Sequence, residues 1–77
     1  MRKWLLLMSR HGKEEVWTLH DADQTEIDRF GDWWELDKCI IAITQDKVET
    51  TFESVEKVIS YIKCNPDWHF VELVEID

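Results

Sequence analysis

Cys39-Ile40-Ile41-Ala42-Ile43-Thr44, then Gln45-Asp46-Lys47, then Val48-Glu49-Thr50-Thr51-Phe52, and finally Ser54 through Cys64 form the stretch on which the fold turns. The first segment is a continuous apolar run of strand formers. That pattern predicts a strand covered on both faces or placed at the centre of a sheet. The polar triplet after it reads as a turn, and Val48 to Phe52 as the returning strand of a hairpin. Periodicity then changes. Val55, Val58, Ile59 and Ile62 follow the i, i+3, i+4, i+7 spacing that gathers apolar groups on one side of a helix, with Ser54 or Glu53 available to cap its first turn. Asn65-Pro66 ends the helix, because proline lacks the N–H that the ladder needs and disfavours helical geometry in the residue before it.

Outward from this stretch the same signs recur. Trp4-Leu5-Leu6-Leu7-Met8, the polar Ser9 to Lys13 with its glycine, and Val16-Trp17-Thr18-Leu19 predict an earlier hairpin. Downstream, Trp68 to Ile76 reads as a last strand. Its apolar positions fall on both faces, which suggests an inner strand or an oligomer contact. Residues 22–36 favour a helix: Ile27, Phe30 and Trp34 share a helical face, and Thr25 with Asp28 approximates a capping box. Gly31 either sits inside that helix or ends it in a left-handed conformation. An offset of 32 residues aligns Val16 with Val48, Thr18 with Thr50 and Ile27 with Ile59, in keeping with a β-β-α unit used twice. The expectation is one domain over residues 1–77, of α+β class. A mainly antiparallel sheet of about five strands, in the order β-β-α-β-β-α-β, would carry two helices on one face.

Composition bounds what such a domain can do. The chain has 77 residues, 44% of them hydrophobic, enough for a folded core, and a formal net charge of −8. A domain of this length buries only roughly 60% of its unfolded surface, so a homodimer or an obligate partner is expected to help stabilise it. The longest uninterrupted apolar runs, Trp4 to Met8 and Cys39 to Ile43, fall far short of a membrane span or a signal-peptide core, so a cytoplasmic location and no membrane contact are expected. Cys39 and Cys64 read as reduced, mostly buried thiols. Excess acidity argues against direct nucleic-acid binding, which rests on clustered Lys and Arg.

Catalytic and metal chemistry find little purchase. His11, His20 and His69 are scattered, no Cys-x-x-Cys or His-x-x-x-His occurs, and the two glycines, Gly12 and Gly31, belong to no phosphate-binding loop. His20 reads as a surface or capping histidine, and His69 as packed in the last strand. No metal, no cofactor and no enzymatic activity are expected.

What stands out is the segment 21–37, where seven carboxylates meet one arginine, and where Trp33 and Trp34 are adjacent. Trp4, Trp17 and Trp68 can fill a small core. Neighbouring tryptophans are awkward to bury together in a monomer, on a helix or on a strand, so one of Trp33 and Trp34 is expected to be exposed or to lie in an interface, where tryptophan is enriched. On a helix Asp21, Asp28, Asp32 and Glu35 would project within a sector of roughly 60°, at about 100° per residue. Such a stripe is either a solvated face or a set of phosphate stand-ins. The candidate partner-binding residues are therefore Asp21, Asp28, Asp32, Trp33, Trp34 and Glu35. In kind, a short acidic chain bearing tryptophans and no catalytic motif is similar to the small inhibitors that phages and mobile elements make against host nucleic-acid-handling enzymes. That similarity of class covers no aligned residues. It implies a nucleic-acid mimic that occludes the basic surface of a host protein. The alternative is a homodimeric structural or adaptor module whose acidity only keeps it in solution.

Overall fold

The computed structural model describes residues 2–30 and 39–76. Seven elements follow in the order expected: β1 (Lys3–Arg10), β2 (Lys13–Asp21), α1 (Gln24–Phe30), β3 (Ile40–Ile43), β4 (Glu49–Phe52), α2 (Val55–Cys64) and β5 (Trp68–Glu75). The five strands make one antiparallel sheet in the spatial order β4-β3-β2-β1-β5. It is an α+β fold.

Local chemistry explains the turns. His11 and Gly12, both with positive φ, close the first hairpin in two residues, a turn whose twist matches that of the strands it joins. The second hairpin closes through Lys47, also at positive φ, with Thr44 and Val48 exchanging backbone and hydroxyl bonds. Ser54 caps α2 by accepting from the Lys57 N–H, and Asn65, extended before Pro66, ends it. The capping box of α1 lies two residues upstream of the expected Thr25 and Asp28. Asp23 accepts from the Glu26 N–H at 2.8 Å, and Glu26 accepts in return from the Asp23 N–H at 3.2 Å.

The core lies between the sheet and α2. Trp4, Leu6, Met8, Trp17, Leu19, Ile40, Ala42 and Phe52 point to one face, where Val58 and Ile62 are buried against them, with Val55 and Ile59 on the flanks. The central run behaves as its composition predicts, since Ile40, Ile41 and Ala42 are all buried in the inner strand β3. The placement of α1 departs from expectation. Strand residues alternate between faces, and Leu19 faces α2, so His20 faces away from it. It is His20 that bonds Glu26 of α1 at 2.7 Å, while Glu49, register partner of Ile43, bonds Arg29 at 2.8 Å. Each helix therefore takes its own face. The connection from β2 into α1 sets His20, not Leu19, beside the new helix, and the His20–Glu26 bond ties the two.

Two further expectations need correction. β5 is an edge strand rather than an inner one, and both cysteines are exposed rather than buried. Cys39 stands one position outside the buried run of β3. Cys64 is two residues past Ile62, which turns it off the buried side of the helix.

Candidate partner-binding surface

Asp21 is the last residue of β2, not part of a helix. Its register partner is Ile40, a core residue, so it projects on the α2 side of the sheet. There it is engaged within the molecule: the Arg2 N–H donates to it at 2.8 Å and the Arg2 guanidinium at 3.2 Å. Partial burial alone would push this carboxyl up, but the bonds and charge of Arg2 outweigh it and hold the group below the ordinary carboxylate range. Asp21 in turn holds the Arg2 guanidinium above its usual value.

Asp28 lies on α1, exposed, accepting from the Gln24 side chain one turn earlier at 2.9 Å. Fold topology separates the two carboxylates onto opposite sides of the sheet, so they do not form one stripe. Asp32, Trp33, Trp34 and Glu35 lie outside the described residues, as does Gly31.

Charge elsewhere follows a consistent rule. All three arginines of the chain are tied to carboxylates: Arg2 to Asp21, Arg10 to Glu15 and Asp46, and Arg29 to Glu49. Arg10 bridges the ends of the two hairpins while lying 5.4 Å from the centre of the Trp68 ring, and Arg2 lies over Trp4 in the same way. Beyond those pairs, exposed Glu14, Asp23, Asp28, Glu53, Glu56, Glu72 and Glu75 outnumber the exposed Lys3, Lys13, Lys47, Lys57 and Lys63 among the described residues.

Sequence patterns alone did not reveal an aromatic chain at the hairpin ends. Phe52, Tyr61, Trp68 and Trp17 are stacked edge to face or tilted, with centroids 5.6 to 6.0 Å apart. They line a cleft of about 180 Å³ beside Arg10. These rings come from three strands and a helix, so no local spacing announces them. Among the described residues no group of three or more histidine, cysteine or acidic side chains is placed to hold a metal ion, and no helix is long and apolar enough to cross a membrane. His20 acts as an anchor for α1, whereas His69 is exposed on β5 rather than packed.

No family model, curated protein or solved structure matches the chain.

Proposed function

We propose that this chain is a small acidic protein-binding inhibitor, of the kind made by phages or mobile elements, that acts in the cytoplasm by occluding a basic, nucleic-acid-binding surface of a host protein. The observation that supports it is that, with every arginine paired to a carboxylate, further exposed carboxylates still outnumber the exposed lysines among the described residues. A negative surface is steered toward a basic groove, which raises the association rate, and a buried tryptophan then slows departure. Asp28 on α1 supplies part of the charge. Asp32, Glu35 and either Trp33 or Trp34 supply the rest, whereas Asp21 drops out of the site because Arg2 already neutralises it. In this role the chain catalyses nothing and touches no nucleic acid itself.

The test is capture from the native cell in low and high salt, followed by kinetics of the captured partner with purified protein. Reversing Asp28 and Asp32 to Lys should slow association, and added salt should erase much of the difference from wild type, since exposed charges are screened beyond ~8 Å at physiological ionic strength. Unchanged kinetics at low salt would reduce the acidic surface to a solvated face. A homodimeric module, the second reading, is favoured by one specific feature, the long open edge of β5.

A further inference from the structure

The two edges of the sheet differ in kind. β4 is four residues long, too short to template much pairing, while β5 runs for eight residues without a lysine or a proline. Long edges of that sort are usually blunted, because they present a row of free backbone donors and acceptors. On β5, Val71 and Val74 are exposed, as is Ile76 just beyond it.

Backbone bonds at both ends of the β1–β5 ladder show which groups are free. Ile76 donates to the Lys3 carbonyl at 2.9 Å, and His11 donates to the Asp67 carbonyl at 3.0 Å. Bonded residues alternate along an antiparallel pair, so Lys3, Leu5, Leu7, Ser9 and His11 turn toward β5. Their partners 76, 74, 72, 69 and 67 turn toward β1. Val71 is the extra residue of a bulge, because Leu7 pairs with Glu72 and Met8 with Phe70. Trp68, Phe70, Leu73 and Glu75 are left to aim their backbone groups away from the sheet. The Trp68 N–H already bonds to the Asn65 carbonyl, so that residue offers its carbonyl alone.

These four residues are self-complementary. We infer that β5 pairs antiparallel with β5 of a second copy about a two-fold axis between Val71 and Glu72, joining two five-stranded sheets into one of ten. In that register Trp68 meets Glu75 of the second copy, and Phe70 meets its Leu73. All four outward residues are then opposite outward residues, and all lie on the α2 face, as their pairing with Arg10, Met8, Leu6 and Trp4 requires. No other two-fold antiparallel register engages all four, because the bulge makes their spacing uneven. A bulge normally discourages edge pairing; here it selects a single register.

Side chains agree with the backbone. Phe70 and Leu73 form two apolar cross-strand pairs, and His69 lies opposite Val74 on the other face. Glu75 of the second copy lands at Trp68, whose ring carries the Arg10 guanidinium, and Lys63 sits 5.9 Å from the neighbouring Phe70 ring. Glu15 and Asp46 already hold Arg10, so the cation on this edge left to meet that acid is Lys63. This proposal concerns the homodimer and stands apart from the acidic-surface reading. Its test uses the protein alone, so either can fail without the other.

Light scattering after gel filtration in the micromolar range should give the mass of a dimer; a monomer mass throughout that range would overturn the pairing. Register is tested by cross-linking in a Cys39→Ser, Cys64→Ser background. His69 and Val74 of the second copy form a non-hydrogen-bonded pair, with Cα atoms about 4.5 Å apart, within disulfide range. Two copies of residue 69, or of residue 74, would be separated by roughly 17 Å, at about 3.4 Å per residue. H69C/V74C should therefore give a covalent dimer on mild oxidation, while H69C and V74C alone should not. Both positions are exposed, so the variants should keep the wild-type circular dichroism. Failure of the double variant to cross-link, or cross-linking by the single variants to the same extent, would reject this register.

Discussion

The two faces of the sheet are held by different forces. On the α2 side, Val58 and Ile62 are fully buried against Trp4, Leu6, Met8 and Trp17. On the α1 side, the seven-residue helix is fastened by His20 to Glu26 and Arg29 to Glu49, while Val16 and Val74 of the same face remain exposed. Burial of apolar area scales with the surface removed from water, whereas a hydrogen bond only exchanges one polar partner for another. The α2 side therefore holds most of the buried apolar side chains among the described residues, while the α1 side buries Ile41 and leaves Val16 and Val74 open.

The largest effect should come from Ile62→Ala, which removes three carbons from a fully buried site and should cost about 2–5 kcal/mol by denaturant unfolding. Val16→Ala, on the opposite face, should change stability by less than about 0.5 kcal/mol. Ile59→Ala should fall between them, because Ile59 flanks the buried stripe. If Val16→Ala cost as much as Ile62→Ala, the contrast between the faces would collapse.

Next in size is Glu26→Ala. It removes the bond to His20 and the return bond to the Asp23 N–H, both at the root of α1, and should cost about 1 kcal/mol. A loss as large as that of Ile62→Ala would mean that α1 belongs to the main cooperative core.

Asp21→Asn should show the smallest effect and a defined pH dependence. The native carboxyl titrates below its unfolded value of about 3.9, so its contribution is complete above that value and is lost as the pH falls through the lower native one. The difference in Tm between wild type and Asp21→Asn should therefore be present near neutrality and vanish in strong acid. A difference that persists unchanged there would show that Asp21 acts through something other than its charge on Arg2.

Much of this architecture was legible residue by residue. The apolar run 39–43 reads as a strand covered on both faces or at the sheet centre, and Ile40, Ile41 and Ala42 are buried on both faces of the inner strand β3, while Ser54 and Asn65-Pro66 mark the ends of α2. Asp21 falls outside the helical stripe, because the β1–β2 ladder holds it in a strand opposite Arg2. An Asp-x-x-Glu signal at Asp23 and Glu26 was present and marks the true start of α1. Nothing in the local pattern marked Arg10, whose partners Glu15, Asp46 and Trp68 come from three separate parts of the chain.

By itself the sequence determined the elements, their order and the apolar side of α2, because periodicity, capping and turn chemistry act over a few neighbouring residues. Only the tertiary structure decided which face each helix takes, which strand lies at an open edge and which carboxylates an arginine has already claimed. Those are outcomes of strand order and register, and register depends on residues far apart in the chain meeting across the sheet.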